Sequence, residues 1–281
     1  MKSAGRATKS SVRPGGGDAT GIVTFLTDFG GSDWYVAAMK SAVLVETGDR
    51  PVQLIDISHR VPPQDVIAGS ILLERAVASF PEGTIHVAVV DPGVGTDRRL
   101  LAVRVRGQTI LCPDNGLITW TWRRHAHMNP DVRELTWRPG GSISNTFHGR
   151  DVLAPAAGRL LRGERPGAMT KVISGPLLLD LHLARGDGRG VIIHFDHYGN
   201  ATTNVPAELL RAGTTVRVGH RVIGRVHRTY GDVEVGLPVA LVGGSGLLEI
   251  AVRNGSAAEQ LGLGVGDAVT LWGDSRSNRP A

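Results

Sequence analysis

From residue 22 to residue 163, short apolar, β-branched runs alternate with stretches whose apolar residues recur at helical spacing. Ile22-Val23-Thr24-Phe25-Leu26-Thr27 reads as a first strand and stops at Asp28-Phe29-Gly30-Gly31. Val36, Met39, Val43 and Leu44 then repeat with a helical period, and Asp33 is placed to cap that helix. Residues 52–57 form a second strand ending at Ser58-His59, and Asp65 caps a second helix with Val66, Ile67, Ser70, Leu73 and Val77 on its inward side. A third strand, 85–90, stops at Asp91, where Pro92, Gly93 and Gly95 turn the chain before Arg98 and Arg99. Residues 100–106 and 109–111 read as a hairpin around Gly107-Gln108, and Pro113-Asp114-Asn115-Gly116 is a turn at another strand end. Thr146-Phe147-His148-Gly149-Arg150-Asp151 leads into a last helix through Leu153, Ala156, Ala157, Leu160 and Leu161.

This alternation predicts an α/β class with a mostly parallel, doubly wound N-terminal domain. After Gly190 the pattern changes to short strands between Gly-rich turns, at 191–196, 215–218, 221–226, 239–242, 247–252 and 268–272. Only 206–210 and 257–261 look helical there, so a smaller C-terminal all-β barrel domain is expected. The expected layout is a disordered leader at 1–20, the α/β domain at 21–163, a linker at 164–188, the barrel at 189–273 and a tail at 274–281.

A hydrophobic content of 41% and a charged content of 20% suit a globular protein with a real core. The formal net charge of +5 overstates the charge of the folded body. Lys2, Arg6, Lys9 and Arg13 lie in the leader against Asp18, and Arg276 and Arg279 lie in the tail against Asp274. The remainder is close to neutral, without the basic field of a nucleic-acid binder. No run approaches the 18 or so apolar residues of a membrane span. The leader lacks the apolar segment of a secretory signal, so a cytoplasmic location is expected. One cysteine, Cys112, excludes a disulfide framework and reads as a small core residue.

Polar clusters gather at the predicted strand ends, at 28–33, 58–59, 91–99 and 114–115, with His148 on a further loop. In an open α/β sheet, ligands bind at the carboxyl edge of the strands. Gly93-Val94-Gly95-Thr96-Asp97-Arg98 begins like a dinucleotide loop but carries arginine where the third glycine belongs, and no phosphate-loop Gly-Lys-Ser/Thr occurs. The pairs His125/His127 and His194/His197 are not set among cysteines or carboxylates at zinc spacing, so no metal is expected. No Gly-x-Ser-x-Gly elbow is present either. The best trio is Asp91, Arg98 and His148. A carboxylate can take a proton from water, an arginine can keep that carboxylate ionised, and a histidine can orient either. Asp28 is placed to pair with ribose hydroxyls, or else to form an Asx turn. The turns 196–200 and 243–246 are plain Gly-rich turns or ligand-closing loops.

With those residues in view, the chain resembles the adenosine-forming S-adenosylmethionine hydrolases, the S-adenosylmethionine hydroxide adenosyltransferases, which are related to fluorinase and chlorinase. The resemblance runs from about residue 22 to 271. It is carried by Thr27-Asp28-Phe29-Gly30, Asp56-Ile57-Ser58-His59, Val90-Asp91-Pro92-Gly93-Val94-Gly95-Thr96, Pro113-Asp114-Asn115-Gly116, Thr146-Phe147-His148-Gly149-Arg150-Asp151 and Gly199-Asn200. It implies hydrolysis of S-adenosyl-L-methionine to adenosine and L-methionine without a cofactor or metal, in a homotrimer with active sites between subunits. It further implies that Asp91, Arg98 and His148 activate water, that Asp28 holds ribose, that Asp196 and Ser245 hold the methionine part, and that Asn200 contacts adenine. Asp33, Phe147, Gly149 and Tyr198 complete the implied substrate contacts. The alternatives are a halogenase and a non-catalytic S-adenosylmethionine or adenosine binder. The resemblance disfavours a halogenase, whose halide site lacks the charged trio and which carries a tryptophan near the position of Gln64 that this chain lacks. A binder has no need of the trio.

Overall fold

The computed structural model describes residues 21–180 and 188–272, so the leader, the tail and residues 181–187 of the expected linker lie outside the described residues. Nearly every side chain of β1 (Ile22–Thr27) and every one of β3 (Ile85–Val89) is buried, so both strands are central. Between them run α1 (Tyr35–Thr47), β2 (Gln53–Ser58) and α2 (Val66–Ser79). Then come β4 (Leu100–Val105), β5 (Gln108–Pro113), the short α3 (Thr119–Arg124) and β6 (Asp131–Leu135). With β7 (Thr170–Val172) at its edge, the seven-stranded sheet has the order β2-β1-β3-β5-β4-β6-β7. Its β2-β1-β3-β5 portion is parallel, whereas β4, β6 and β7 pair antiparallel. The sheet is therefore mixed, and the parallel portion carries the loops of interest.

Helices cover both faces. One apolar cluster joins Val23, Phe25 and Val87 to Met39 and Val43 of α1 and to α4 (Ala154–Leu161). The other joins Leu26, Ala88 and Ile110 to Leu73 and Val77 of α2. Asp65 caps α2 as expected, its Oδ1 accepting the Ala68 N–H at 2.9 Å. Asp33 does not cap α1. The chain is already helical at Trp34, so Asp33 lies one residue too early to reach the first free N–H groups, and it is exposed. Ile67, expected to face inward, is 38% exposed, and the buried stripe of α2 runs through Ala68, Ile71, Leu73 and Val77.

A line of polar groups crosses the core. Thr24 Oγ1 lies 2.7 Å from His86 Nδ1, and His86 Nε2 lies 2.7 Å from Gln108 Oε1. Gln108 Nε2 donates onward to the Val77 and Phe80 carbonyls at the end of α2. Burial holds the His86 pKa down at about 4 against the hydrogen bond to Gln108, so the ring is neutral.

The expected linker begins with structure of its own. After α5 (Pro166–Met169), β7 (Thr170–Val172) pairs with β6, so the sheet continues past residue 163. Residues 175–179 are then strapped to the domain. Asp114 accepts the Leu177 N–H at 2.7 Å and Arg99 Nε at 2.8 Å, Arg99 Nη2 donates to the Gly175 carbonyl, and Thr119 Oγ1 accepts the Leu179 N–H at 3.0 Å.

The second domain is a closed barrel, β10-β11-β12-β13-β9-β8-β14. Its strands are β8 (Arg189–Phe195), β9 (Ala201–Pro206), β10 (Thr215–Val218), β11 (Arg221–His227), β12 (Pro238–Val242), β13 (Leu247–Val252) and β14 (Ala268–Trp272), with α6 (Ala257–Leu261) before the last. The sequence pattern gives six of these strands and passes over β9. The stretch 206–210, expected to be helical, closes as a single 3₁₀ turn at Ala207–Leu209. Ile71 and Trp120 of the first domain and Ile193 and Leu247 of the barrel form a shared buried cluster where the two domains meet.

Candidate active site

The carboxyl ends of β1, β2 and β3 open on a groove of about 430 Å³. Asp91 sits at its edge because β3 ends at Val89, two residues earlier, and the next residues fold back on themselves. Val94 N–H bonds to the Asp91 carbonyl, and Thr96 N–H and Oγ1 both bond to the Gly93 carbonyl. This double turn returns Arg98 to the carboxylate seven residues before it. Arg98 Nε lies 2.7 and 2.8 Å from the two Asp91 oxygens, and Nη2 completes a bidentate clasp on Oδ2. The pair is nearly dry, with side-chain exposures of 8% for Arg98 and 5% for Asp91.

The same guanidinium faces His148, with Nη1 and Nη2 each 3.1 Å from Nδ1. Arginine has only donors, so Nδ1 is the acceptor and the ring proton resides on Nε2. Burial, then the charge of Arg98, hold the His148 pKa below its usual value despite the opposing pull of Asp91, which keeps the ring neutral. Asp91 and His148 both line the groove, with Arg98 bridging them from behind.

Two glycines allow this approach. A Cβ on Gly95, whose φ is +85°, would stand 2.8 Å from the Asn145 carbonyl of the loop that carries His148. A Cβ on Gly149 would meet Met39 Sδ at 3.2 Å and Val89 Cγ2 at 3.3 Å. After His148 the chain takes a π-helical stretch, Gly149–Leu153, before α4, and Asp151 ties the loop by accepting the Ser144 N–H and the Arg150 side chain.

Asp28 faces the same groove. Its Oδ2 accepts the Gln64 N–H at 2.8 Å, and Gln64 holds a left-handed φ of +66° to make that bond. Such a conformation in a non-glycine residue costs on the order of 1–3 kcal/mol and marks a position over-determined by its surroundings. Phe147 centres an aromatic wall, with Tyr35 at 5.5 Å, Trp34 at 5.8 Å and Phe29 at 5.9 Å between ring centroids. Trp34 is 59% exposed at its rim.

The structure thus gathers Asp28, Asp91, Phe147, His148 and Gly149 around one groove, with Arg98 behind them. Asp33 is not among its lining. Phe29, Tyr35, Gln64, Val94 and Thr146 also line it and were not singled out by the sequence as ligand contacts. Phe29, Val94 and Thr146 lie inside the motifs, and that membership is the signal that could have found them.

Asp196, Tyr198 and Asn200 line a different groove, of about 570 Å³, wholly on the barrel. Asp196 Oδ1 accepts the Tyr198 and Asn200 N–H groups and Oδ2 accepts Asn200 Nδ2, each at 2.9 Å, so the turn is pre-formed. Tyr230, Arg253, Asn254 and Gly255 share that groove and were also not anticipated. Tyr230 donates to Glu249 Oε1 at 2.5 Å, and burial followed by that carboxylate drives its hydroxyl pKa well up. Ser245 lies apart, in the turn between β12 and β13. The antiparallel register of β13 with β9, Leu247 against Pro206 and Ile250 against Ala201, puts that turn at the opposite end of the strand pair from Asn200. Among the described residues, neither groove is lined by both domains, and no three His, Cys, Asp or Glu side chains gather as a metal-ligand set.

Comparison with known proteins follows the same division. Residues 23–170 match the SAM hydroxide adenosyltransferase N-terminal domain and residues 190–270 match its C-terminal domain. The chain is similar to an (R)-S-adenosyl-L-methionine hydrolase of Thermus thermophilus, 44% identical over 262 residues that cover 89% of this chain and 98% of the relative. It is more distantly similar to a fluorinase of Actinopolyspora mzabensis, 27% identical and covering 89% and 96% of the two chains. A crystal structure of a conserved protein from Thermotoga maritima superposes with a TM-score of 0.81 at 30% identity, covering 89% of this chain and all of the other.

Proposed function

The chain belongs to the SAM hydroxide adenosyltransferase family, and from that premise we propose that it hydrolyses S-adenosyl-L-methionine to adenosine and L-methionine in the groove at the strand ends. The observation that carries this reading is the clasped Asp91–Arg98–His148 set, nearly dry at the ion pair, with Asp91 and His148 lining the groove. Water held between Asp91 and His148 attacks C5′ of the ribose in line with the sulfonium. The C5′–S bond breaks with its electron pair to sulfur, a C5′–O bond forms, and the oxygen sheds one proton.

The hydrogen-bond directions assign the roles. His148 has Nδ1 occupied by Arg98, so it presents Nε2–H and donates to the water oxygen. Asp91 has lone pairs beyond those Arg98 takes and is the acceptor for the proton. No strong base is needed, because the departing methionine is neutral and the oxygen becomes strongly acidic once bonded to carbon. Arg98 fixes the Asp91 carboxylate in place beside the cationic substrate. The same carboxylate disfavours a halide nucleophile, so a halogenase fits this groove poorly. Asp28 is proposed to hold the ribose hydroxyls and the Phe147 wall to flank the nucleoside.

The substrate is completed from the other groove. Asp196 toward the methionine part and Asn200 toward adenine lie on the barrel, away from Asp91, which supports a site built between two copies of the chain in a homotrimer. No helix of the described residues is long and apolar enough to cross a membrane. A cytoplasmic, metal-independent enzyme is the proposed setting. The relative's name specifies the R configuration at sulfur, and we assign the same preference to this chain.

Incubation with each sulfonium epimer, followed by chromatography, tests the reading. Adenosine and methionine are expected, faster from the R epimer, with no 5′-chloro-5′-deoxyadenosine in chloride buffer. No adenosine above a heat-killed control would overturn the hydrolase reading.

A further inference from the structure

The motifs Thr27-Asp28-Phe29-Gly30 and Asp56-Ile57-Ser58-His59 end neighbouring parallel strands, with Leu26 registered against Ser58. Of their residues, Asp28 and, in the aromatic wall, Phe29 have a part in the site above. The histidine of the second motif reaches into the first. His59 Nδ1 lies 2.9 Å from Thr27 Oγ1, Thr27 Oγ1 accepts the Phe29 N–H at 3.2 Å, and the Gly30 N–H donates to the His59 carbonyl at 2.7 Å. On the far side of the ring, Nε2 lies 3.0 Å from Asp56 Oδ1 without a hydrogen bond between them, and Lys40 Nζ holds Asp56 Oδ2 at 2.6 Å. Burial raises the Asp56 pKa, but the Lys40 hydrogen bond and the facing His59 ring outweigh it, so the carboxylate stays ionised.

These contacts have one consistent direction. A carboxylate beside Nε2 favours the tautomer with its proton there, which leaves Nδ1 as an acceptor. The Thr27 hydroxyl then donates to Nδ1 and receives from Phe29, using the one proton and the lone pairs it has. The turn that results surrounds Asp28 on both sides. The Asp28 Oδ2 is fixed by the Gln64 N–H, and among the described residues its Oδ1 has no hydrogen-bond partner.

We infer that His59 is a positioning residue: through Thr27 it sets the 27–30 turn and thereby the direction in which Asp28 presents Oδ1 to the substrate. This rests on the proposal above that Asp28 holds the ribose. His59 itself touches no reacting atom. Its loss therefore weakens nucleoside binding and leaves the chemical step to Asp91, Arg98 and His148.

Calorimetry with adenosine, together with steady-state kinetics on S-adenosyl-L-methionine, tests the inference. His59→Ala and Thr27→Val are expected to weaken adenosine binding about tenfold and to raise KM in step, with kcat within about twofold of wild type. His59→Asn supplies an amide oxygen where Nδ1 was, and Thr27→Ser keeps the hydroxyl. Both should recover most of the binding. In a double-mutant cycle, His59→Ala combined with Asp28→Ala should bind adenosine no more weakly than Asp28→Ala alone. Additive losses in the double variant, or wild-type adenosine binding in His59→Ala and Thr27→Val, would overturn the inference. Wild-type binding in Asp28→Ala would instead overturn the ribose assignment on which it rests.

Discussion

Arg98 serves three acceptor atoms at once, both Asp91 oxygens and His148 Nδ1, and a planar guanidinium is the side chain with enough fixed donors to do so. Lysine in its place would keep the charge but lose the fork, freeing the imidazole to change tautomer. Arg98→Lys is therefore expected to lower kcat by roughly 10²-fold, with adenosine affinity little changed. Single-turnover measurement of adenosine formation checks this, and a wild-type rate would mean that the bridge is dispensable. At this scale the sequence was informative where chemistry concentrates. Asp91 and Arg98 stand out as opposite charges on a Gly-rich turn, and His148 through its motif. Tyr35 and Gln64 do not, because they reach the groove through turn geometry that no local pattern encodes. Asp33 looks like a helix cap, and the helical backbone at Trp34 alone shows otherwise.

Between elements, the Thr24–His86–Gln108 line fastens β1, β3 and the end of α2 with a neutral histidine. In the unfolded chain His86 takes a proton near pH 6.5, whereas in the fold it does so only at about 4. Between those values the unfolded state binds more protons, so stability falls as the pH falls, and below about 4 this contribution is exhausted. The span corresponds to about 3 kcal/mol. Denaturant unfolding at pH 7 and pH 4 should show wild type losing more stability over that interval than His86→Asn, and equal losses would contradict the account. Element patterns were legible where apolar residues repeat cleanly, as in β1, β3 and α2. β9 escaped because three of its five buried positions are Thr202, Thr203 and Asn204, polar residues with long-range bonds such as Thr203 Oγ1 to the Leu248 carbonyl. β6 and β7 escaped because they are short and carry charges.

For the whole molecule, the two grooves of one chain are each half of the proposed site. Mixing two inactive variants probes this directly. Asp91→Asn spoils the first-domain groove and Asn200→Ala the barrel groove. If each site joins two subunits, co-refolding or co-expression should restore activity to about a quarter of the sites by random assortment. A mixture with no more activity than its separate components would contradict a shared site. The two-domain plan was legible in the sequence from the change of period after Gly190. The placement of the barrel was not, because it depends on the strap at 175–179 and on the Ile71–Trp120–Ile193–Leu247 cluster, whose members are far apart in the chain. The central claim concerns which atom attacks which carbon. The most direct measurement is turnover of S-adenosyl-L-methionine in ¹⁸O-water, with mass analysis of both products. The account predicts one heavy oxygen on the 5′ carbon of adenosine and none in methionine. Unlabelled adenosine, or label on a carbon of the amino-acid product, would contradict it.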